Sequence, residues 1–232
     1  MSGNKRSFTK ELIWIYVVGL IGMVIPYTRQ FFMVITPINL LVVTGLLFYN
    51  HRRWDVKTIM AMVLVAVISF FIEAWGVNSG AIFGEYSYGS TLGPSLFGTP
   101  YIIGLNWVLL VYLCYSIGSG LIDRVTGSSS SPHSALKGGK MLLVALTGAL
   151  FMVAYDIVLE PAAIRLDMWE WAAVSVPLQN YVAWFLLSFA FILFFAISGV
   201  NPKNRTALPL FLTQLIFFGA LNLWFFIEPR LL

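Results

Sequence analysis

Cysteine, histidine and charge are all scarce in this chain, and each scarcity removes a class of function. The single cysteine, Cys114, can close no internal disulfide and reads as a small packed hydrophobe. The two histidines, His51 in a basic loop and His133 beside Ser131, have no acidic or histidine companion at ligand spacing. That excludes a haem or histidine-ligated iron centre, and no metal site is expected. No Gly-rich dinucleotide fingerprint follows a strand. The expectation is therefore a reaction without a cofactor, or no reaction. Charged residues make up only 10% of the 232, against 59% hydrophobic.

Those hydrophobic residues fall into runs near the roughly 20 residues that a bilayer-crossing helix needs. The pattern predicts an all-α, polytopic membrane bundle of about seven transmembrane helices in one integral-membrane domain, 1–232. The expected spans are Leu12 to Tyr27, Phe31 to Tyr49, Thr58 to Val77, Pro100 to Ile122, Met141 to Leu159, Tyr181 to Gly199 and Ala207 to Ile227. The basic residues before the first run suit a signal peptide, but no small-residue cleavage site follows, so it is read as the first helix.

With the N-terminus cytoplasmic, eleven of the fourteen Lys and Arg fall on the cytoplasmic side, leaving Arg29, Arg165 and Arg230 opposite. The formal net charge of +4 is then a topology signal and not a nucleic-acid footprint. A multi-pass protein of the cytoplasmic membrane is expected, in contact with lipid. The Ser- and Gly-rich stretch 123–140 reads as a flexible cytoplasmic linker.

Acidic residues are distributed unevenly. Glu73, Glu85, Asp156, Glu160, Asp167, Glu170 and Glu228 crowd toward the non-cytoplasmic end, and Glu73 and Asp156 lie inside apolar runs. A carboxyl in hydrocarbon is costly to ionise and costly to leave unpartnered, so an intramembrane acid is a functional candidate by default. Helices three and five run the same way, and each acid comes about sixteen residues after a basic flank, Lys57 or Lys140, which predicts similar depth. The antiparallel neighbours bring Asn106 with Trp107, and Asn180 with Trp184, to the same level.

Ser69 and Glu73, Asp156 and Glu160, and Asn180 and Trp184 are each four apart and share a helix face. Pro161 is expected to stop the fifth helix near Glu160. Aromatic residues ring the level, with Trp75, Tyr86, Tyr88, Trp107 and Trp184 placed at the site, and Trp169 and Trp171 equally explained by an interfacial belt. Glu85 is kept as a candidate for its place in Phe83-Gly84-Glu85-Tyr86-Ser87-Tyr88. Glu160, Asp167, Glu170 and Glu228 lie nearer water, where packing or solvation accounts for them; Glu160 stays with the site as the neighbour of Asp156.

Two carboxyls in unequal surroundings can act as an acid and a base. Substrate arriving from lipid is apolar. Protonation of an alkene would give a tertiary carbocation among aromatic faces that stabilise it, and the cation then takes up water or closes a ring.

The chain resembles a known family in Glu73-Ala74-Trp75-Gly76-Val77-Asn78-Ser79-Gly80, Phe83 to Tyr88, Leu92-Gly93-Pro94, Pro100 and Trp107. A second block adds Asp156, Glu160-Pro161, Trp169-Glu170-Trp171, Val176 to Tyr181 and Trp184. These residues are similar to the carotenoid biosynthesis proteins that include bisanhydrobacterioruberin hydratase and gamma-carotene hydratase, over about Glu73 to Phe185. Asn106 departs from the family, standing where a small residue is usual.

The resemblance implies water addition across the terminal double bond of an acyclic carotenoid end group, with no metal or nucleotide. The implied partners are a lipophilic carotenoid and other enzymes of its pathway. Beside that resemblance, the residues themselves make Glu73 or Asp156 the acid, with Asp156 favoured, and the other the base that orients water; Asn106 and Asn180 position the water, and Trp75, Trp107, Tyr86 and Trp184 line the cation. A membrane carotenoid cyclase needs much the same residues, and a non-catalytic lipid or carotenoid carrier is the third reading. A retinal pump is excluded, since every lysine lies in the N-terminal tail or a loop and none is left to form the Schiff base.

Overall fold

The computed structural model describes residues 8–127 and 138–228. Eight helices follow in chain order: α1 (Thr9–Val24), α2 (Pro26–Val34), α3 (Thr36–Tyr49), α4 (Val56–Ser79), α5 (Ile102–Thr126), α6 (Gly138–Arg165), α7 (Leu178–Ile197) and α8 (Ala207–Ile227). Four short strands join them: β1 (Tyr86–Tyr88), β2 (Ser95–Leu96), β3 (Thr99–Pro100) and β4 (Trp169–Trp171). The result is an all-α membrane bundle whose strands belong to its connections.

Helices α4 to α8 are each long and apolar enough to cross a membrane, and α2 with α3 makes a sixth if that pair, bent by 59°, is one span. Seven spans are therefore not what length and composition give. The first expected span is only the 16-residue α1, cut short ahead of Pro26, which opens α2. The second is broken at Ile35, where Pro37 takes an early position in α3 and offers no N–H to continue the preceding helix.

Local chemistry sets other boundaries. Asp55 is extended and accepts the Thr58 N–H on Oδ1 at 2.8 Å, capping α4, and Gly80 closes that helix in the left-handed region at φ 66°. The predicted stop at Pro161 does not occur, and α6 runs through it to Arg165. Loss of one N–H inside a long, packed helix is tolerated, and Glu160 consequently lies within the helix and not at its water-facing end.

Of the predicted linker 123–140, residues 128–137 lie outside the described residues, while 123–126 extend α5 and 138–140 begin α6. Lys140 Nζ and Asp123 Oδ1 pair at 2.6 Å between those two helix ends.

Helix α5 is central, with 83% of its membrane-length window buried against 39–44% for the other four long helices. It packs on α3, α4, α6, α7 and α8, while α1 lies against α8 at one side. The α4–α5 crossing is close: a Cβ on Gly104 would meet the Ala66 carbonyl oxygen at 2.5 Å, so only glycine fits.

Candidate active site

One end of the bundle is covered by a two-stranded antiparallel sheet. Strand β1 pairs with β4 in the register Tyr86 to Trp171, Ser87 to Glu170 and Tyr88 to Trp169. Side chains alternate across a strand, so this register turns four aromatic rings to one face and Ser87 with Glu170 to the other. Ser87 Oγ donates to Glu170 Oε1 at 3.3 Å on the exposed face. The aromatic face covers a cavity lined by Glu73, Asn106, Trp107, Glu160, Asn180 and Trp184, together with Phe83, Ile103 and the four rings of the sheet.

The two connections meet through a clasp. Asp167 Oδ2 accepts both the backbone N–H and the hydroxyl of Ser90, at 2.9 and 2.6 Å, and Thr91 Oγ1 donates to the Leu166 carbonyl at 2.6 Å. Gly89 passes so near that a Cβ would meet the Asp167 carbonyl oxygen at 2.3 Å. The clasp fixes β1 to the end of α6 and hence the aromatic face to the cavity.

The rings of the sheet bring their polar atoms to the carboxyls. Tyr86 and Tyr88 donate their hydroxyls to Glu73 Oε2 at 2.5 and 2.9 Å, and Trp107 Nε1 donates to Glu73 Oε1 at 2.8 Å. Trp169 and Trp171 both donate their indole N–H to Glu160 Oε2 at 3.0 Å. Burial first, and the neighbouring Glu73 second, push both phenols well above the ordinary tyrosine range, so they remain O–H donors. An indole N–H donates only, so Glu160 Oε2 is fixed as an acceptor.

Behind Glu160 lies Asp156, one turn along α6 and fully buried. Asn180 bridges the two, with Nδ2 at 2.8 Å from Asp156 Oδ2 and 3.4 Å from Glu160 Oε1. Asp156 Oδ1 has no hydrogen-bond partner, an uncommon condition for a buried oxygen. The indoles of Trp107 and Trp184 lie tilted against one another, ring centres 4.9 Å apart.

The residues expected from sequence divide as follows. Glu73, Asn106, Trp107, Asn180, Trp184, Tyr86, Tyr88 and Glu160 come together around one space. Asp156 does not line it, because it lies a turn deeper and is covered by Asn180; the carboxyl of α6 that faces the space is Glu160. Trp75 is 64% exposed on the outer face of α4, since two residues past Glu73 is 200° around a helix. Glu85 is exposed, one position before β1, and does not reach the cavity. Ser69 is buried and bonds the Ala66 carbonyl of its own helix.

Trp169 and Trp171, half assigned to an interfacial belt, are instead the partners of Glu160. The signal that finds them is the alternation in Tyr86-Ser87-Tyr88 and Trp169-Glu170-Trp171: two short period-2 segments, each aromatic on one face and polar on the other.

The chain is 29% identical over 183 residues to the bisanhydrobacterioruberin hydratase of Haloarcula japonica, a match covering 74% of this chain and 58% of that relative. It therefore spans little more than half the length of that curated protein. No solved structure matches. The profile of the family described as carotenoid biosynthesis protein matches residues 31–230, which takes in the sheet, both acidic helices and every residue of the cavity, and the chain belongs to that family.

Proposed function

We propose that the protein is a carotenoid hydratase that adds water across the terminal double bond of an acyclic carotenoid end group to give a tertiary alcohol. The observation that carries this reading is the pair of carboxyls from different helices, Glu73 on α4 and Glu160 on α6, both opening on one aromatic cavity. The likeness to a named hydratase supports the choice of reaction.

The chemistry needs one proton delivered and one removed. Glu160, whose Oε1 is free of the indole donors, transfers a proton to the less substituted alkene carbon, and the positive charge forms at the tertiary carbon. Trp107, Trp184 and Tyr86 present aromatic faces to that cation. Water held by Asn106 and Asn180 attacks it, forming the C–O bond, and its proton passes to Glu73. The proton taken up by Glu73 returns to Glu160 through water in the shared cavity, which restores the acid, while Asn180 holds Asp156 and Glu160 at their spacing. Alkene plus water becomes alcohol with no electron gained or lost, and a positioned acid or base contributes about 10² to 10⁴ in rate.

The excess of Lys and Arg near residues 52–57 and 137–140 supports a cytoplasmic position for that end and the N-terminus, with the cavity toward the opposite face of the cytoplasmic membrane. One integral-membrane domain then carries both site and anchor.

Expression in a host that accumulates an acyclic carotenoid, with isotopically labelled water, tests the reading. A pigment heavier by one labelled water is the expected product. An unchanged mass with a new ring would mean cyclisation, and oxygen drawn from air would exclude hydration.

A further inference from the structure

The carboxylate cavity does not end at Asn106. Ile103, Asn106 and Trp169 also line a second cavity, of about 60 Å³, that runs between α5, α6 and α8 toward α1. That cavity in turn shares Tyr16, Met23, Thr36, Asn39 and Phe217 with a third, of about 370 Å³, bounded by α1, α2, α3 and α8. The third reaches the surface at Trp14 and Val18, which are 67% and 52% exposed on α1, an apolar helix packed against the membrane-length α8. Three spaces that share wall residues thus lie end to end between the protein surface and the acid pair. Along α1 alone their wall runs from Trp14 to Met23, roughly 14 Å at 1.5 Å per residue.

The walls are mostly apolar, with one polar knot part way. Gln214 on α8 donates from Nε2 to Tyr16 Oη at 2.8 Å, while its Oε1 has no partner although the residue is only 2% exposed. A buried acceptor facing a bore calls for an O–H donor on whatever fills it.

We propose that these three cavities form a lateral channel through which an acyclic, methyl-branched polyene chain slides from the lipid, between α1 and α3, until its end group passes Asn106 into the carboxylate cavity, with Gln214 accepting an O–H along the way. This rests on the proposed hydration only for the identity of the occupant; the passage itself is read by binding. The O–H belongs either to water preceding the chain or to a hydroxyl on it. A rigid rod longer than the carboxylate cavity must leave its remainder somewhere, and the second and third spaces lie in line with the site.

The test narrows the mouth of the channel. Gly19 lines the third cavity, and a Cβ there makes only an ordinary contact, 3.6 Å from Phe217, so Gly19→Trp is accommodated by filling the void. Gly45→Trp, on α3 where a Cβ meets nothing within 4 Å, is the control for a bulky residue in the membrane. Full-length protein in detergent is loaded with a linear carotenoid and the pigment retained per protein is read from its visible absorption. Gly19→Trp should retain at least tenfold less, while Gly45→Trp retains as much as the parent.

Equal pigment in Gly19→Trp and parent overturns the channel, whether or not the protein turns over. Where it does, Gly19→Trp should lose a long substrate while keeping, within twofold, a short alkene with the same end group, which needs no channel. Equal loss of both would also overturn it. Gln214→Leu separates the donors. Tenfold weaker retention of a hydroxylated polyene alone places the O–H on the chain, unchanged retention of hydroxylated and plain polyenes assigns it to water, and equal loss of both removes Gln214 from the proposal.

Discussion

Both ends of the bundle bury polar side chains, and they use their hydrogen bonds differently. At the end away from the sheet, His51 is fully buried with Nδ1 2.7 Å from Tyr112 Oη and Nε2 2.8 Å from the Arg53 carbonyl. Asn204 donates to the Leu47 carbonyl at 2.8 Å and accepts the Thr206 N–H at 2.9 Å, and Tyr115 donates to the Val200 carbonyl at 3.0 Å. That cluster ends on main-chain groups and pins the loops after α3 and α7 to α5. At the sheet end, the donors converge on three carboxyls, of which Glu73 and Glu160 face open space while Asp156 behind them keeps one oxygen without a partner. A polar cluster that closes on the backbone holds a fold; one that holds side chains around a void prepares chemistry.

The sharpest way to break that contrast is to neutralise one carboxyl with its shape kept. Glu160→Gln and Glu73→Gln should each lower turnover by about 10² to 10⁴, the contribution of a positioned acid or base. Both should remain folded membrane proteins by thermal unfolding and size-exclusion profile. Asp156→Asn, acting through Asn180 and Glu160, should cost less than Glu160→Gln. An equal or greater loss in Asp156→Asn would return the acid to the residue first expected from the sequence.

That reversal shows what was legible. Spacing by four along α6 and α7 puts Asp156, Glu160, Asn180 and Trp184 on shared faces, and alternating helix direction brings Glu73 and Trp107 to the same depth. The sequence does not reveal which of two carboxyls one turn apart meets the cavity. That depends on α6 continuing through Pro161, a matter of neighbouring helices holding the backbone where local preference would release it. The described helices give five or six spans and not seven, because the first run is only 16 residues long and the second is bent where Pro37 brings no N–H to the turn. The sheet was hidden because three-residue strands give a period-2 signal too short to stand out from an aromatic-rich loop.

The next effect in size concerns the indoles of β4. Trp169→Phe and Trp171→Phe keep the aromatic face and remove one donor each from Glu160 Oε2. Each should lower kcat by about tenfold, consistent with the roughly 1 to 3 kcal/mol cost of stripping one partner from a buried acceptor, and should shift the pH profile of turnover. Loss in KM with kcat unchanged would make the rings a binding surface only.

At the other end, His51→Ala should do the reverse. Leaving Tyr112 and the Arg53 carbonyl short of a partner costs about 1 to 3 kcal/mol, read as a lower melting temperature, while turnover per folded molecule stays within twofold. A large loss of turnover at parental stability would mean that the two ends are coupled and that their contrast is not one of fold against chemistry.

The smallest effect is at the clasp. The Ser90 hydroxyl first, and the Ser90 backbone N–H second, hold the Asp167 carboxyl below its ordinary value of 3.8. A carboxylate whose folded value is depressed stabilises the docked state fully above the ordinary range of about 3.9, and that contribution fades as pH falls through the folded value. Hydrogen-exchange protection at Ser90 and Thr91, corrected for the intrinsic pH dependence of exchange, should therefore be level from neutral pH down to about 5 and decline below about 4. Because Asp167 is exposed the change should be only a few-fold. Asp167→Asn, which cannot ionise, should start lower and stay level through the same window. If that variant declines in parallel with the parent, the titrating group is elsewhere and the sheet is held over the cavity by its aromatic face alone.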